Sequence, residues 1–333
     1  MKRAFIPLLC VFLLACSSCS KQSASRDIFA MDTIISIDIY GQECEEIADE
    51  CVAEVFRLEK MFSRTLADSD VSVLNNAGRA EVSDETVELI NLSLKMRERT
   101  SGLFDITIAP VMDVWGFISD NPAVPEQADL ERAMLKIGSE INVDLNVVSL
   151  ENGAAIDLGG IAKGYTGDYL NQMIKERGIE SALISLGGNV VAIGDNGGKP
   201  WRVAIQNPDD SGSYAGILLV EDRHLVTSGG YERNFTQDGE LYHHIIDPRT
   251  GYPADSGLKS VTIIAESGAV ADALSTAVYI MGESEAIEHW RENLDFEMVL
   301  ITQDNRVLVT DGLEFEPVDG GYSYEIIFSE QET

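Results

Sequence analysis

Four short stretches hold residue types that could do chemistry together. In Ile156–Leu170, IDLGGIAKGYTGDYL, an apolar run ends at Asp157, a Gly159-Gly160 turn follows, and Lys163 falls in the first turn of a predicted helix. Amides at a helix start carry partial positive charge and suit a phosphate or carbonyl-rich ligand, which Lys163 could also reach. The stretch matches neither G-x-x-x-x-G-K-[ST] nor G-x-G-x-x-G, so it is not one of the common phosphate loops. A junction that uses its glycines only for close packing is the competing reading. In Ala271–Ala277, ADALSTA, Asp272 and Thr276 lie four apart and share one helix face. A carboxylate and a hydroxyl on one face are hard oxygen ligands of the kind Mg²⁺ takes. A small-residue helix packed on a sheet, with Asp272 paired to a base, would read the same way.

In His243–Pro253, HHIIDPRTGYP, Asp247-Pro248 starts a turn and Thr250-Gly251 completes the reversal. On a strand His243 and His244 point to opposite faces, so one could face a site; a rigid hairpin with two structural histidines is the alternative. Last, Thr100–Pro110 embeds Asp105 among apolar residues, and Trp115 and Phe117 follow. These aromatics could wall a flat ligand or simply fill core.

These residues need elements to position them. Ile35, Ile37 and Ile39 alternate with polar residues, which predicts a half-buried strand over Thr33–Tyr40. Helical spacing predicts helices over Glu43–Phe62 and Asp84–Arg99, the second with Ser83 as N-cap and Gly102 as its stop. A short helix is expected at Gln127–Lys136, strands near Ile141–Val148 and Ala154–Leu158, and a helix from Lys163 to Arg177. From Ser181 to His244, runs such as ALISL, VVAIG, WRVAIQ, GILLVE and LYHHII alternate with Gly, Asn and Asp turns and predict an antiparallel sheet. A strand at Val261–Ala265, helices at Ser267–Met281 and Glu283–Asn293, and strands near Met298–Ile301 and Arg306–Val309 complete the reading. The class is therefore α+β, with mixed, largely antiparallel sheets and packed helices.

The chain has 333 residues and a formal net charge of −32. Lys2-Arg3, the apolar run Ala4–Leu14 and Ala15-Cys16 read as a secretory signal. Leu13–Cys16, LLAC, reads as a lipobox with Cys16 as the lipidated first residue. Residues 1–15 are thus expected to be a lipoprotein signal peptide, 16–27 a flexible tether and 28–329 one domain. Loss of Lys2 and Arg3 leaves the chain still more acidic, which argues against nucleic acid as a partner and against electrostatic docking on anionic lipid. An acidic chain that binds a phosphate compound needs a cation to bridge them. Cys44 and Cys51 are the cysteines beyond residue 19; helical spacing sets them about 10 Å apart, too far for a disulfide.

The order and wording of the motifs resemble the ApbE family, lipoprotein FAD:protein FMN transferases. The resemblance runs from Met31-Asp-Thr33 through FSRTLADSDVSVLN (Phe62–Asn75), GLFDITIAPVMDVWGF (Gly102–Phe117), DLGGIAKGY (Asp157–Tyr165) and HIIDPRTGYP (His244–Pro253) to ADALSTA (Ala271–Ala277). It implies an ApbE-like fold with FAD in a cleft. It implies FAD contacts by Met31, Thr65, Leu103, Phe104, Asp105, Asp157, Lys163 and Ile246, and Mg²⁺ held by Asp272, Thr276 and the Gly160 carbonyl. The implied reaction moves FMN from FAD to a Thr or Ser hydroxyl of an acceptor flavoprotein in a secreted or membrane electron-transfer system, releasing AMP. Asp272 would orient or deprotonate the hydroxyl, with His244 the second candidate. Thr65 departs from the Tyr or Trp often found there. An FAD pyrophosphatase yielding FMN and AMP, or a flavin-binding lipoprotein without turnover, would share the site. The implied location is extracytoplasmic, on a bacterial membrane through a lipid anchor.

Overall fold

A computed structural model describes residues 22–119 and 121–330. In chain order the elements begin β1 (Ser23–Ala30), β2 (Thr33–Tyr40), α1 (Cys44–Phe62), α2 (Asp70–Ala77), β3 (Arg79–Glu81), α3 (Asp84–Arg99), α4 (Ala109–Trp115), α5 (Gln127–Met134), β4 (Ile141–Asp144) and β5 (Val147–Leu150). They continue with α6 (Ala162–Glu176), β6 (Ser181–Leu186), β7 (Asn189–Gly194), β8 (Trp201–Asn207), β9 (Asp210–Val220), β10 (Arg223–Gly229), β11 (Asn234–Gln237) and β12 (Glu240–His243). The last are β13 (Leu258–Ala265), α7 (Gly268–Asn293), β14 (Phe296–Thr302), β15 (Arg306–Thr310), β16 (Glu314–Pro317) and β17 (Ser323–Ile327).

Nine strands form one sheet in the order β1-β2-β6-β7-β10-β13-β14-β15-β17. Every pairing in it is antiparallel except β15 with β17. Alternate side chains of a strand face opposite sides, and here both sides are covered. Ile263, Met298, Leu300 and Leu308 pack into the core shared with α7. Their neighbours Ile264, Val299, Ile301 and Val309 pack against Trp201, Ile205 and Leu218 of the small β16-β9-β8 sheet. Strands buried on both faces read as continuous apolar runs, which is why VTIIA and MVLIT lack alternation. On the β1-β2-β6-β7 side, α1 and α6 supply Ile47, Val55, Leu170 and Ile174 to a second core. The α+β, largely antiparallel reading stands.

The predicted helices form, with Ser83 accepting the Thr86 N–H as N-cap of α3. The pair expected across Met281 is one element with a break at Gly282, whose φ of 76° no helix interior adopts. Cys44 and Cys51 are both free and buried. Three expectations change. Ser23–Asp27, expected in the tether, belong to β1, where Ser23 pairs with Tyr40 and Ser25 with Asp38; polar outward residues of an edge strand look like linker. Ala154–Leu158 joins no sheet, because its groups go elsewhere: Ile156 N donates to the Asn75 side chain and Asp157 N to the Ile106 carbonyl. The strand expected over Ile141–Val148 is instead the tight hairpin β4-β5, turning at Leu145-Asn146. The expected signal peptide, Cys16 and the expected tether before residue 22 lie outside the described residues.

Candidate active site

A cleft of about 1100 Å³ opens at one end of the nine-stranded sheet. Thr33 at the start of β2, the Gly187-Gly188 turn of β6-β7, Asn189, and Thr227 and Ser228 near the end of β10 form its floor. Its walls come from α6, α7, the segment after α1 and the loops around α4 and β12.

The α6–α7 crossing sets the centre. A Cβ on Gly164 would stand 2.1 Å from the Gly268 carbonyl oxygen, so the helices touch through bare backbone. At this approach Asp272 on α7 reaches α6, and its Oδ2 accepts the Gly164 N–H at 2.8 Å. Asp168 of α6 caps the start of α7 by accepting from Gly268 N and Ala269 N, which locks the crossing. Asp272 is 4% exposed. Burial pushes its pKa up, and Lys163, the Gly164 amide and Asn189 pull back against that. Asn189 stands close enough to favour the carboxylate, yet its amide nitrogen makes no hydrogen bond of normal geometry. Thr276, one turn on, is the only residue of Ala271–Ile280 not fully buried, because its side faces the cleft. A Cβ on Gly160 would come within 3.7 Å of Thr276 Oγ1 and 3.2 Å of the Phe104 ring. The Gly160 backbone therefore lies beside Thr276, with Lys163 on the same wall. A carboxylate, a hydroxyl and a peptide group converging this way could hold a hard cation.

The opposite wall carries His244, Glu232 and Arg233. His244 follows directly on β12. Its Nδ1 lies 3.2 Å from the Arg233 carbonyl, which can only accept, so Nδ1 carries the proton and Nε2 keeps its lone pair. The ring is half-open to the cleft but densely surrounded; burial, then Arg233, push its pKa down to about 4. Its neighbour His243 is spent on structure, with Nε2 3.1 Å from the Ala254 carbonyl. Glu232 keeps solvent contact in the open cleft, yet its crowded setting pushes its pKa up to about 7, with Lys163 and Arg233 opposing and Asp272 adding to the rise.

The β1-β2 turn closes the near end. Met31 and Asp32 both have positive φ, 50° and 61°, a two-residue turn of the kind that usually wants Asn-Gly. Anchors on both sides hold it: Met31 N donates to Glu59 of α1 at 2.6 Å, and Asp32 pairs with Arg233 at 2.5 Å. Strain held by its surroundings clusters at functional sites.

Arg64 ties the third wall. One side-chain nitrogen pairs with Asp157 at 2.9 Å and another with Asp113 at 2.5 Å, while the side chain is 12% exposed. Asp157 Oδ1 also accepts the Gly159 N–H, so the glycine turn is fixed from both sides. Phe104, Ile108, Met112 and Ile118 supply apolar surface here, and Leu103, Thr65 and Ile246 line the same cavity. Asp105 borders it, but its carboxylate is used by Arg97 and Thr107. Trp115 and Phe117 do not wall the cleft. They stack 5.8 Å apart in a buried cluster with Phe235, Tyr242 and Tyr252, and Trp115 Nε1 donates to the Gly251 carbonyl.

The ApbE family profile matches residues 31–300. An FAD:protein FMN transferase of Klebsiella pneumoniae is 31% identical over 302 residues, 88% of this chain and 94% of that one. One of Treponema pallidum is 31% identical over 336 residues, 92% of each chain. Among solved structures, the ApbE protein of Thermotoga maritima superposes with a TM-score of 0.80 at 33% identity, covering 90% of this chain and 97% of that one. The flavin transferase ApbE from Vibrio cholerae gives 0.77 at 27% identity, covering 90% and 98%. The chain belongs to the ApbE family. The residues that the ApbE resemblance assigned to a site, Cys16 aside, all border one cavity, although they are spread from Met31 to Thr276. Sequence reasoning missed Arg64, Glu232, Arg233 and Asn189. Arg64 stood inside the FSRTLADSD motif, and Glu232-Arg233 follow a Gly229-Gly230 pair, a charged couple on a glycine loop between strands.

Proposed function

We propose that this chain is an Mg²⁺-dependent FAD:protein FMN transferase that moves FMN from FAD to a Thr or Ser hydroxyl of an acceptor protein and releases AMP. The observation that carries the reading is the convergence of Asp272, Thr276 and the Gly160 backbone beside Lys163, in a cleft at the large end of ligand pockets. All three groups are oxygen donors, so the set fits Mg²⁺. Bound there, Mg²⁺ would neutralise pyrophosphate oxygens and the charge that develops at phosphorus.

The chain's own groups have separable roles. Lys163 adds a positive charge to the pyrophosphate. The acceptor oxygen bonds to the FMN phosphorus, the bond from that phosphorus to the AMP oxygen breaks, and AMP leaves with the bonding electrons. The hydroxyl proton goes to His244 Nε2, whose lone pair is free because Nδ1 is tied to the Arg233 carbonyl. Burial, then Arg233 and Lys163, hold the His244 pKa down; an anionic pyrophosphate in the cleft would offset the two cations and raise its basicity. Asp272, buried and already accepting an amide, serves as a ligand rather than the base. The apolar wall around Phe104 takes a flat ring. The lipobox at Cys16 supports an extracytoplasmic, membrane-anchored protein acting on secreted or membrane electron-transfer flavoproteins.

Purified protein incubated with FAD, Mg²⁺ and a flavoprotein acceptor should release AMP and leave the acceptor covalently fluorescent. His244→Ala should lower that transfer about 10²-fold or more. AMP released equally without acceptor identifies a pyrophosphatase, and no AMP under either condition refutes both enzymatic readings.

A further inference from the structure

The outward face of the β1-β2 hairpin is polar except where it meets the cleft. Alternation sends Ala24, Ile28 and Ala30 of β1, with Ile35, Ile37 and Ile39 of β2, toward the second core. The other face reads Ser23, Ser25 and Asp27 opposite Tyr40, Asp38 and Ser36, and Tyr40 is turned to Trp201 with ring centroids 5.9 Å apart. It ends in Phe29 opposite Ile34, the last pair but one before the Met31-Asp32 turn. Both side chains are 68% exposed, and Phe29 borders the cleft. An aromatic facing a β-branched residue across two strands steadies a hairpin, but this turn is already anchored at Glu59 and Arg233. Two large apolar side chains left side by side in water, at the lip of a site, have the composition of an interface anchor rather than of a solvated sheet face.

The charges beside the pair are also unpartnered. Asp27 accepts from the Ser36 hydroxyl at 2.6 Å. Among the described residues neither Asp27 nor Asp38 forms an ion pair, because the nearby Arg26 turns to Glu45 and Asp49 on the opposite face. β1 is the outermost strand of its sheet, so the lip stays open from the side.

We propose that this lip is where the acceptor protein docks: an apolar side chain beside its target hydroxyl covers Phe29 and Ile34, and a lysine or arginine meets Asp27, about 7 Å along the strand. The inference rests on the FMN-transfer reading, since the acceptor hydroxyl has to enter the cleft that Phe29 borders. It adds the chemistry that must flank that hydroxyl.

The test uses the purified full-length chain with FAD, Mg²⁺ and the extramembrane domain of a flavoprotein that the parent flavinylates. Ile34 is exposed and lies one residue beyond the Thr33 that borders the cleft, so Ile34→Ser leaves the fold intact. The KM for the acceptor should rise about tenfold or more, while kcat and FAD affinity by flavin fluorescence stay within about twofold. Ile34→Leu should restore the parent KM. Asp27→Asn should raise the acceptor KM about threefold and flatten its salt dependence. An unchanged acceptor KM in Ile34→Ser, with transfer intact, overturns the docking surface and leaves the transferase reading standing. FAD affinity lost in step with the KM overturns it too, because the pair then shapes the flavin site. A dimer in sedimentation that Ile34→Ser dissociates at unchanged KM gives the face to a second copy of this chain, against the proposal. A parent that flavinylates no acceptor removes the function first, and the docking surface with it.

Discussion

Replacing Gly164 with alanine should damage both stability and catalysis, against the usual rule for helices. In an exposed helix interior, Gly→Ala gains about 1 kcal/mol of propensity. Gly164 lies in regular α6, so no backbone angle forbids the change. The obstacle is α7: the new Cβ would stand 2.1 Å from the Gly268 carbonyl oxygen, 2.5 Å from its carbon and 2.8 Å from Ala269 N. An ordinary contact begins at 3.4 Å, so the helices must part by about 1.3 Å, the difference of 3.4 and 2.1. Overpacking of this kind costs about 1–3 kcal/mol. Parting also weakens the bond from Gly164 N–H to the Asp272 carboxylate, worth about 1.5–3 kcal/mol. Set against the propensity gain, the net loss is about 1.5–5 kcal/mol. Because Asp272 and Thr276 ride on α7 while Gly160 and Lys163 stay with α6, the same shift opens the proposed metal site. A misplacement of about 1 Å costs on the order of 10²-fold in rate. Urea unfolding gives the first quantity and AMP release the second. A Gly164→Ala protein as stable and as active as the parent would refute the close-crossing argument.

Four further outcomes follow from the cleft. Asp272→Asn should abolish turnover; because burial raises the Asp272 pKa, its ionisation costs stability that is absent below the unfolded value and grows as pH rises, so urea midpoints should favour the variant more at pH 8 than at pH 4. Glu232, pushed up to about 7, works in the same sense: the parent loses stability between the ordinary carboxylate range and pH 7, and Glu232→Gln should flatten that slope in urea titrations; an unchanged slope refutes it. Arg64→Gln frees Asp157 beside the glycine turn, and loss of a charge-assisted bond of about 1.5–3 kcal/mol should weaken FAD binding by ten- to a hundredfold in flavin-fluorescence titrations. Chelation with EDTA should weaken FAD binding but leave riboflavin, which has no phosphate, within about twofold; equal loss for both would count against a metal at the pyrophosphate.

The elements were legible where one face alone is buried. Thr33–Tyr40 alternates cleanly, and α1 and α3 show their apolar faces at helical spacing, because each has a polar side to contrast with. Legibility failed where the partner lies far off in sequence. Ala154–Leu158 has the composition of a strand, but Asn75 and the Ile106 carbonyl take its hydrogen bonds, and neither is local. The β8-β9 sheet over the second face left no mark on β13 or β14 except missing alternation. Motif residues such as Asp272 and Lys163 could be nominated from spacing. Arg64 could not, because its importance lies in Asp157 and Asp113, which are brought to it by folding.

The charge pattern of the cleft then bears on why the proposed divalent ion would suit a chain with net charge −32. Cations do line the cavity, but most are already committed. Arg64 is held by Asp157 and Asp113, and Arg233 by Asp32. Among the described residues lining the cleft, Lys163 is the lysine or arginine with no ion pair within 4.0 Å. A pyrophosphate bound in the cleft would bring two negative charges toward Asp272, held toward its neutral form by burial, and Glu232, held the same way by its crowded setting although it keeps solvent contact. One lysine cannot balance that set in a site partly closed to water. The divalent cation proposed for Asp272, Thr276 and the Gly160 backbone would supply the missing positive charge and turn the buried carboxylate from a cost into a ligand. On the proposed reading, the glycine turn beside Lys163 would depart from the phosphate loops for the same reason: it need not wrap the anion in amides if its backbone meets a cation that does.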